Sequence, residues 1–377
     1  VRIISLEFSD LNFSGCVELI NFISYKLMKK MLACVMSTVF FVNMIALVML
    51  TGMGVASAAS KDSYAATKYP IIFEPGFGGV DRLFVLIDYF YRIPEDLRAH
   101  GANVYLSTSS AFQRPDGPNG RGEQLLAYVK AVLAITGAEK VNLIGYSQGG
   151  LTVRYVAAVA PSLVASVTTM GTPHHGSELA DYLDETFNQG LTGLLSPVWA
   201  GLNNAFASMT TGNPNQDMLA AFKSLMTSQV ALFNKNYPSA GLGKRGSCQS
   251  GAEFETVGGE RQYLYSWGGA AIKEKKSLFG TKVIDTSVFP FIDAANFIDP
   301  TTKILYHLGS VMINHDSGTN DGMVSTCSSM FGKVISSNFN WNHFDEINQV
   351  LAIRGAYAED PLAVIRTHVN RLKMQGL

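Results

Sequence analysis

From Tyr69 onward, short and almost wholly apolar runs alternate with longer runs whose apolar residues recur every three or four positions. Tyr69-Pro70-Ile71-Ile72-Phe73 reads as a buried strand, brought to an end by the Pro75-Gly76 turn and by Gly78-Gly79. Asn103-Val104-Tyr105-Leu106 predicts a second strand after the break at Gly101. A helix opening at Gly122 carries Leu125, Leu126, Val129, Val132 and Leu133 on one face and stops at Gly137. Lys140 to Ile144 predicts a third strand, Gly150 to about Ala160 a second helix halted by Pro161, and Leu163 to Met170 a fourth strand. Strands this continuously apolar are buried on both faces. The rhythm therefore predicts an α/β fold, a mostly parallel sheet with helices on both sides. No repeat, low-complexity tract or linker interrupts it, so one domain is expected over residues 59–377.

The rhythm changes between about Glu178 and Pro238. Helical runs such as Leu179-Tyr182-Leu183-Phe187 and Val198-Leu202-Phe206 follow one another without strands, punctuated by Gly190, Gly193, Gly201 and Gly212. Two readings stand level here: a helical lid over a site, spanning about 178–222, or ordinary packed helices.

The N-terminal part belongs to a different regime. Lys29-Lys30 precedes a mostly apolar run from Met31 to Val55 and the small-residue exit Ala56-Ser57-Ala58-Ala59, the layout of a secretory signal peptide over 28–58. An uncleaved anchor is the rival, since the run is long enough to span a bilayer. Residues 1–27 are expected to be an upstream extension absent from the mature protein, because Met28 is the better start. Composition narrows the function classes. With 47% hydrophobic and 16% charged residues and a formal charge of -1, the chain has a sizeable core and nothing that favours nucleic acid. Outside the expected leader, Cys248 and Cys327 form a lone pair, and two cysteines in an exported chain most often make one disulfide, with two buried thiols as the alternative.

Gly145-Tyr146-Ser147-Gln148-Gly149 sits between an apolar strand and a helical run that opens with Gly150. Glycines there let the backbone turn sharply, pushing a serine hydroxyl into the open, and the following helix N-terminus favours developing negative charge. Ser147 is the candidate nucleophile, against a structural serine in a tight turn. A hydroxyl needs a base, and in this architecture the chain order is serine, acid, histidine. His100, His174, His175, His307 and His315 come too early, and His368 lies within a predicted helix. His343, in the polar run Trp341-Asn342-His343-Phe344-Asp345 after an apparent strand, is the candidate base. For the acid, Asp321, Asp316 and Asp299 remain open. Oxyanion donors are expected from the N–H of Gln148 and from the Glu74–Gly79 loop.

Together these runs resemble the secreted bacterial true lipases of the Pseudomonas and Burkholderia type, over essentially Tyr64 to Leu377. Supporting motifs are Gly117-Pro118-Asn119-Gly120-Arg121-Gly122-Glu123-Gln124-Leu125, Gly171-Thr172-Pro173-His174-His175-Gly176-Ser177 and Trp341-Asn342-His343. The resemblance implies an α/β-hydrolase fold with a helical lid, triacylglycerol hydrolysis, and a triad of Ser147, Asp321 and His343. It implies Phe77 as the second oxyanion donor and a disulfide between Cys248 and Cys327. It further implies one structural calcium ion, held by the carboxylates of Asp299 and Asp345 and the carbonyls of Gln349 and Ile353, an oxygen set that suits this cation. A dedicated membrane-tethered foldase and secretion through the periplasm by the type II route belong to the same implication, with the mature enzyme a monomer.

Two positions depart from the family pattern. Pro75-Gly76, preceded by Glu74, stands where His-Gly usually opens the oxyanion loop, and Tyr146 where histidine is common. A carboxylate at position 74 aimed inward would oppose the oxyanion charge. The alternatives to a lipase are therefore a short-chain carboxylesterase and a catalytically silent α/β-hydrolase that binds lipid or a partner protein.

Overall fold

The computed structural model describes residues 62–79, 82–83, 87–188, 215–287, 300–315, 317–349, 351–355 and 357–377. All of them belong to one compact unit, Asp62–Leu377. The expected boundaries at residues 27 and 58, the middle of the expected lid (189–214), and Asp299 and Asp316 lie outside the described residues.

The first half follows the predicted rhythm. Strand β1 (Ile71–Glu74) leads to a small antiparallel pair, β2 (Arg82–Leu83) with β3 (Ile87–Asp88), then to α1 (Ile93–Ala99) and β4 (Val104–Leu106). Next come α2 (Arg121–Thr136), β5 (Val141–Tyr146), α3 (Gln148–Val159) and β6 (Val164–Met170). The second half holds α4 (Glu178–Asn188), α5 (Met218–Lys223), α6 (Thr227–Asn236), β7 (Phe254–Val257) and β8 (Glu260–Gly269). It closes with the hairpin β9 (Glu274–Lys276) and β10 (Lys282–Ile284), then α7 (Pro300–Asn314), β11 (Lys333–Phe339) and α8 (Pro361–Met374).

The main sheet has the order β11-β8-β6-β5-β1-β4, all parallel, with β7 added antiparallel on β8. Successive residues of a strand face opposite sides, and β1 shows what this does. Ile71 and Phe73 enter a core with Ile93 and Leu97 of α1 and Ile365 and Val369 of α8. Ile72 enters the opposite core with Val129 of α2, Leu151 of α3 and Phe233 of α6. An apolar strand is thus buried twice over. Burying side chains of this size is worth about 1.5–3 kcal/mol each.

Helix boundaries differ from the sequence expectation at one informative place. Helix α3 starts at Gln148 and not at Gly150, because Ser147 itself makes the turn and the helix begins directly after it. Strand β8 escaped the sequence reading for a physical reason: Gln262, Tyr263, Tyr265, Ser266 and Gly268 interrupt its apolar run. Gln262 is nonetheless buried, its side-chain amide donating to the Ala157 carbonyl (3.0 Å).

The described ends of the 178–222 segment pack on the body. Leu179 and Leu183 of α4 meet Leu308 and Met312 of α7, while Ala221 of α5 packs with Ala111 and Phe112. Cys248 and Cys327 form a disulfide, with Cα atoms 4.5 Å apart. Among the described residues no helix is long and apolar enough to cross a membrane.

Candidate active site

The loops after the carboxyl ends of the parallel strands bring the candidate residues together, as open α/β sheets generally do. Ser147 follows β5 in a conformation with φ 54° and ψ −127°, one that L-residues rarely adopt. The turn is possible because its neighbours lack side chains. A Cβ on Gly149 would run into the carbonyls of Glu74 and Pro75, and one on Gly76 would lie 2.7 Å from the Ser147 Cβ. Strand and loop can then approach to backbone distance, leaving the Ser147 side chain at the mouth of the turn.

His343 lies in the loop after β11. Its Nε2 is 3.1 Å from Ser147 Oγ and its Nδ1 is 2.7 Å from Asp321 Oδ2. The other Asp321 oxygen accepts from the N–H groups of Met323 (2.8 Å) and Val324 (2.7 Å). A further bond runs from the His343 N–H to the Asp321 carbonyl (2.9 Å), so the two loops are joined by backbone as well as side chain. The Tyr146 hydroxyl donates to the His343 carbonyl (2.7 Å), occupying the position where histidine was the expected residue. Burial holds this phenol well above its ordinary pKa, so it stays a neutral donor.

Two other histidines fall away on structural grounds. His174 is buried, hydrogen-bonded to Thr169 Oγ1 (3.0 Å) and stacked on Phe331; burial and the Arg154 cation depress its pKa well below the usual value. His368 lies in α8 against Thr168 (2.8 Å), pushed down to about 3 by burial and by Arg371. Both are neutral core residues.

Glu74 points away from the serine. Its carboxylate is fully buried, accepting from Arg121 Nη2 (2.8 Å) and Nε (3.2 Å) and from the Ser109 hydroxyl (3.1 Å). Arg121, equally buried, uses its remaining donors on the Gly76 carbonyl (2.7 Å), the Pro75 carbonyl and Gln148 Oε1 (3.3 Å). The Gly76 N–H donates to the Tyr89 hydroxyl (3.2 Å). Phe77 packs its ring edge-on to Phe112 (5.3 Å between centroids), and Gln148 Nε2 donates to Ala221 O (3.0 Å) and Ser224 Oγ (2.9 Å). Helix α5 therefore touches Gln148 directly, and Ala221 shares with Phe77 the cluster around Phe112.

Sequence reasoning missed Glu346. It is fully buried, with Oε1 accepting from the Gly269 N–H (2.6 Å). Burial first, and the adjoining Asp321 carboxylate next, hold it well above the usual carboxylate range. Its signal in the sequence was slight: a second acid directly after Asp345, in the loop of the candidate base. Asp321, His343 and Glu346 are the one group among the described residues whose ligating atoms lie within 4.8 Å of one another, so it has the atoms to hold a cation. Its chemistry points elsewhere. Burial favours the neutral form of Glu346, and both Asp321 oxygens already accept from His343, Met323 and Val324.

Of the four expected calcium ligands, Asp299 lies outside the described residues. Asp345 is buried and opens a short 3-10 turn, Asp345–Ile347. Between Gln349 and Ile353, Leu351 and Ala352 hold left-handed φ angles of 58° and 62°, following Asn348 at 58°. Asp345 Oδ2 accepts from the Asn342 N–H (2.9 Å). In donor type, carboxylates and backbone carbonyls suit a hard cation.

The alpha/beta hydrolase fold family matches residues 69–346. A triacylglycerol lipase of Burkholderia plantarii is 58% identical over 331 residues, 87% of this chain and 92% of that protein. Another, of Pseudarthrobacter phenanthrenivorans, is 59% identical over 319 residues, covering 84% of this chain and all of that one. Among solved structures, the Staphylococcus hyicus lipase shares the fold, with a TM-score of 0.51, 16% identity, and coverage of 81% of this chain and 96% of that chain.

The raised pKa of Glu346 carries a stability consequence. In the unfolded chain a glutamate titrates near ~4.3. Below that value the stability contributed by the buried acid is complete, and it is lost as pH rises toward the folded pKa, at up to about 1.4 kcal/mol per pH unit. Glu346→Gln cannot ionise and can keep an oxygen facing Gly269. Urea unfolding from about pH 5 to about pH 8 should therefore show a shallower loss of stability in the variant. Parallel pH profiles for the two proteins would exclude this titration.

Proposed function

The chain belongs to the bacterial triacylglycerol lipases of the α/β-hydrolase fold, and on that premise we propose that it hydrolyses fatty-acyl esters at a lipid–water interface through an acyl-enzyme on Ser147. One observation carries the mechanism: the line of hydrogen bonds from Ser147 Oγ to His343 Nε2 (3.1 Å) and from His343 Nδ1 to Asp321 (2.7 Å). In this reading His343 takes the serine proton as Oγ attacks the ester carbonyl, while Asp321 fixes the tautomer and steadies the imidazolium. The alcohol leaves with the proton from His343. Water, deprotonated by the same imidazole, then frees the fatty acid.

The N–H groups of Phe77 and Gln148 would hold the oxyanion. Arg121 supports both. The Gly76 carbonyl and the Phe77 N–H share one planar trans peptide and point in opposite directions, so a guanidinium that holds the carbonyl from behind aims the N–H forward. Glu74 supplies the counter-charge that lets Arg121 be buried there, with its own charge directed away from the reacting carbonyl. This arrangement favours a working hydrolase over a silent one, despite the departure at Glu74-Pro75.

The 178–222 segment is read as the lid, with α4 and α5 as its packed ends. Residues 28–58 are read as a signal peptide preceded by an upstream extension, and the mature chain from residue 59 as a secreted monomer that passes through the periplasm with the help of a foldase. A calcium ion held by Asp299, Asp345 and the carbonyls of Gln349 and Ile353 would brace the His343 loop from outside. When bound, it supplies structural cross-linking and takes no part in the chemistry.

Ser147→Ala is expected to lower kcat on p-nitrophenyl palmitate by at least about ten-thousandfold and to abolish labelling by a fluorophosphonate probe; turnover at the wild-type rate would overturn the mechanism. Glu74→Gln should lower kcat on a dissolved ester by about tenfold or more with KM little changed, because a mis-set oxyanion donor weakens only transition-state binding. Its unfolding free energy should fall by roughly 3–5 kcal/mol, the usual result of stranding a buried charge. Equal kcat at lowered stability would restrict Glu74 to a structural role. Chelation with EDTA should lower the melting temperature by at least a few degrees, and an unchanged value after the ion is stripped would contradict the calcium site.

A further inference from the structure

The tip of the β9–β10 hairpin carries two neighbouring side chains with no neighbour to pack on: Leu278 is 102% exposed and Phe279 95%. Isolated exposed apolar residues are ordinary on protein surfaces, but an adjacent leucine–phenylalanine pair at a turn apex is not. The turn does not need them. It is closed by bonds from the Ser277 N–H to the Thr281 carbonyl (2.8 Å) and from the Gly280 N–H to the Ser277 carbonyl (3.0 Å). Ser277 Oγ accepts from Thr281 N–H (3.1 Å), and Gly280 takes the left-handed φ of 81° that such a turn requires. Leu278 and Phe279 occupy the two central positions, where turns of this kind favour polar residues.

The charges below the tip point the same way. Lys276 and Lys282 are direct cross-strand partners, a like-charge pairing that weakens a hairpin. Lys275 is paired with Asp285 (3.0 Å) and Lys282 lies 3.6 Å from Glu274, while the exposed Lys276 has no ion pair among the described residues. The root of the hairpin is firm. Ile284 packs with Ile272 and Ile313, and Ile272 bridges Asn320, the neighbour of Asp321. The hairpin therefore springs from the same end of the sheet as Ser147 and His343.

We propose that this tip is an interfacial anchor, in which Leu278 and Phe279 enter the acyl layer of a lipid surface while Lys276 meets carboxylates at that surface. The choice of surface rests on the ester-lipase reading. Fatty-acid anions, the product of that reaction, would accumulate at the droplet and supply the negative charge that Lys276 complements.

The test is binding, measured apart from chemistry. Purified protein is mixed with triolein droplets coated with phosphatidylcholine, with and without oleate, and the bound fraction is read by flotation. Leu278→Ser and Phe279→Ser should each weaken binding by about tenfold, and Lys276→Gln should abolish the gain from oleate and its loss in salt. Hydrolysis of dissolved p-nitrophenyl butyrate should stay unchanged in every variant, which also reports correct folding. A Phe279→Trp protein should show blue-shifted emission, relative to wild type, when droplets are added.

Wild-type droplet binding by the double serine variant, with soluble-ester turnover intact, overturns the anchor. A wild-type dimer that becomes monomeric in the variant assigns the tip to a second copy and overturns it as well. If the double variant accumulates poorly in cells yet binds droplets normally once purified, the tip serves a folding partner instead. A wild-type protein that binds droplets through the tip but hydrolyses no ester would sink the enzymatic reading and leave the anchor standing.

Discussion

The site depends on how closely the loop after β1 can approach the turn after β5. Ser147 adopts its strained backbone only because Gly149 lets the carbonyls of Glu74 and Pro75 come to within a side chain's width, and because Gly76 leaves room for the Ser147 Cβ. That approach follows from the pairing of β1 with β5, in which Glu74 lies opposite Gly145. The strain at one residue, of order 1–3 kcal/mol, is carried by a sheet whose two faces are both covered by helices. A slip in the β1–β5 register would undo the turn, the loop contact and the Arg121 clamp at once.

Much of this was legible in the sequence because it is written in short-range terms. The apolar runs around Ile72 and Leu143 have no rival reading as buried strands, and the glycines around Ser147 have a steric meaning that holds in any context. Chain order then excluded five histidines and a predicted helix set His368 aside, and the burial of His174 and His368 agrees with both exclusions. The acid could not be chosen from pattern alone. Asp321 is held by a local turn to the N–H groups of Met323 and Val324, but what selects it as the acid is His343, 22 positions away, a contact that no local spacing announces. Glu346 was invisible for the same reason: its environment comes from β8 and from Asp321, both distant in the chain.

The two departures at the oxyanion loop show compensation across the fold. Glu74 would be a liability facing the serine; turned away from it, toward Ser109, it gives Arg121 a partner. Tyr89 and Tyr146 supply hydroxyls on either side of the turn, one accepting from the Gly76 N–H and the other donating to the His343 carbonyl. Two phenols and one closed ion pair thus surround the loop. A residue that looks hazardous in a motif is here one member of a mutually satisfied set.

The strand order has a further consequence, in time and not in space. Strand β6 pairs with β8, so that Met170 meets Trp267, and β11 closes the sheet only after most of the chain has been made. Ser147 and His343 lie 196 positions apart. Loop closure over such distances comes before the contacts that reward it, which makes parallel sheets of this kind slow to form and exposes apolar strands meanwhile. In a chain with this connectivity, β6 lacks its neighbour β8, and β8 its neighbour β11, until the later segments have been made.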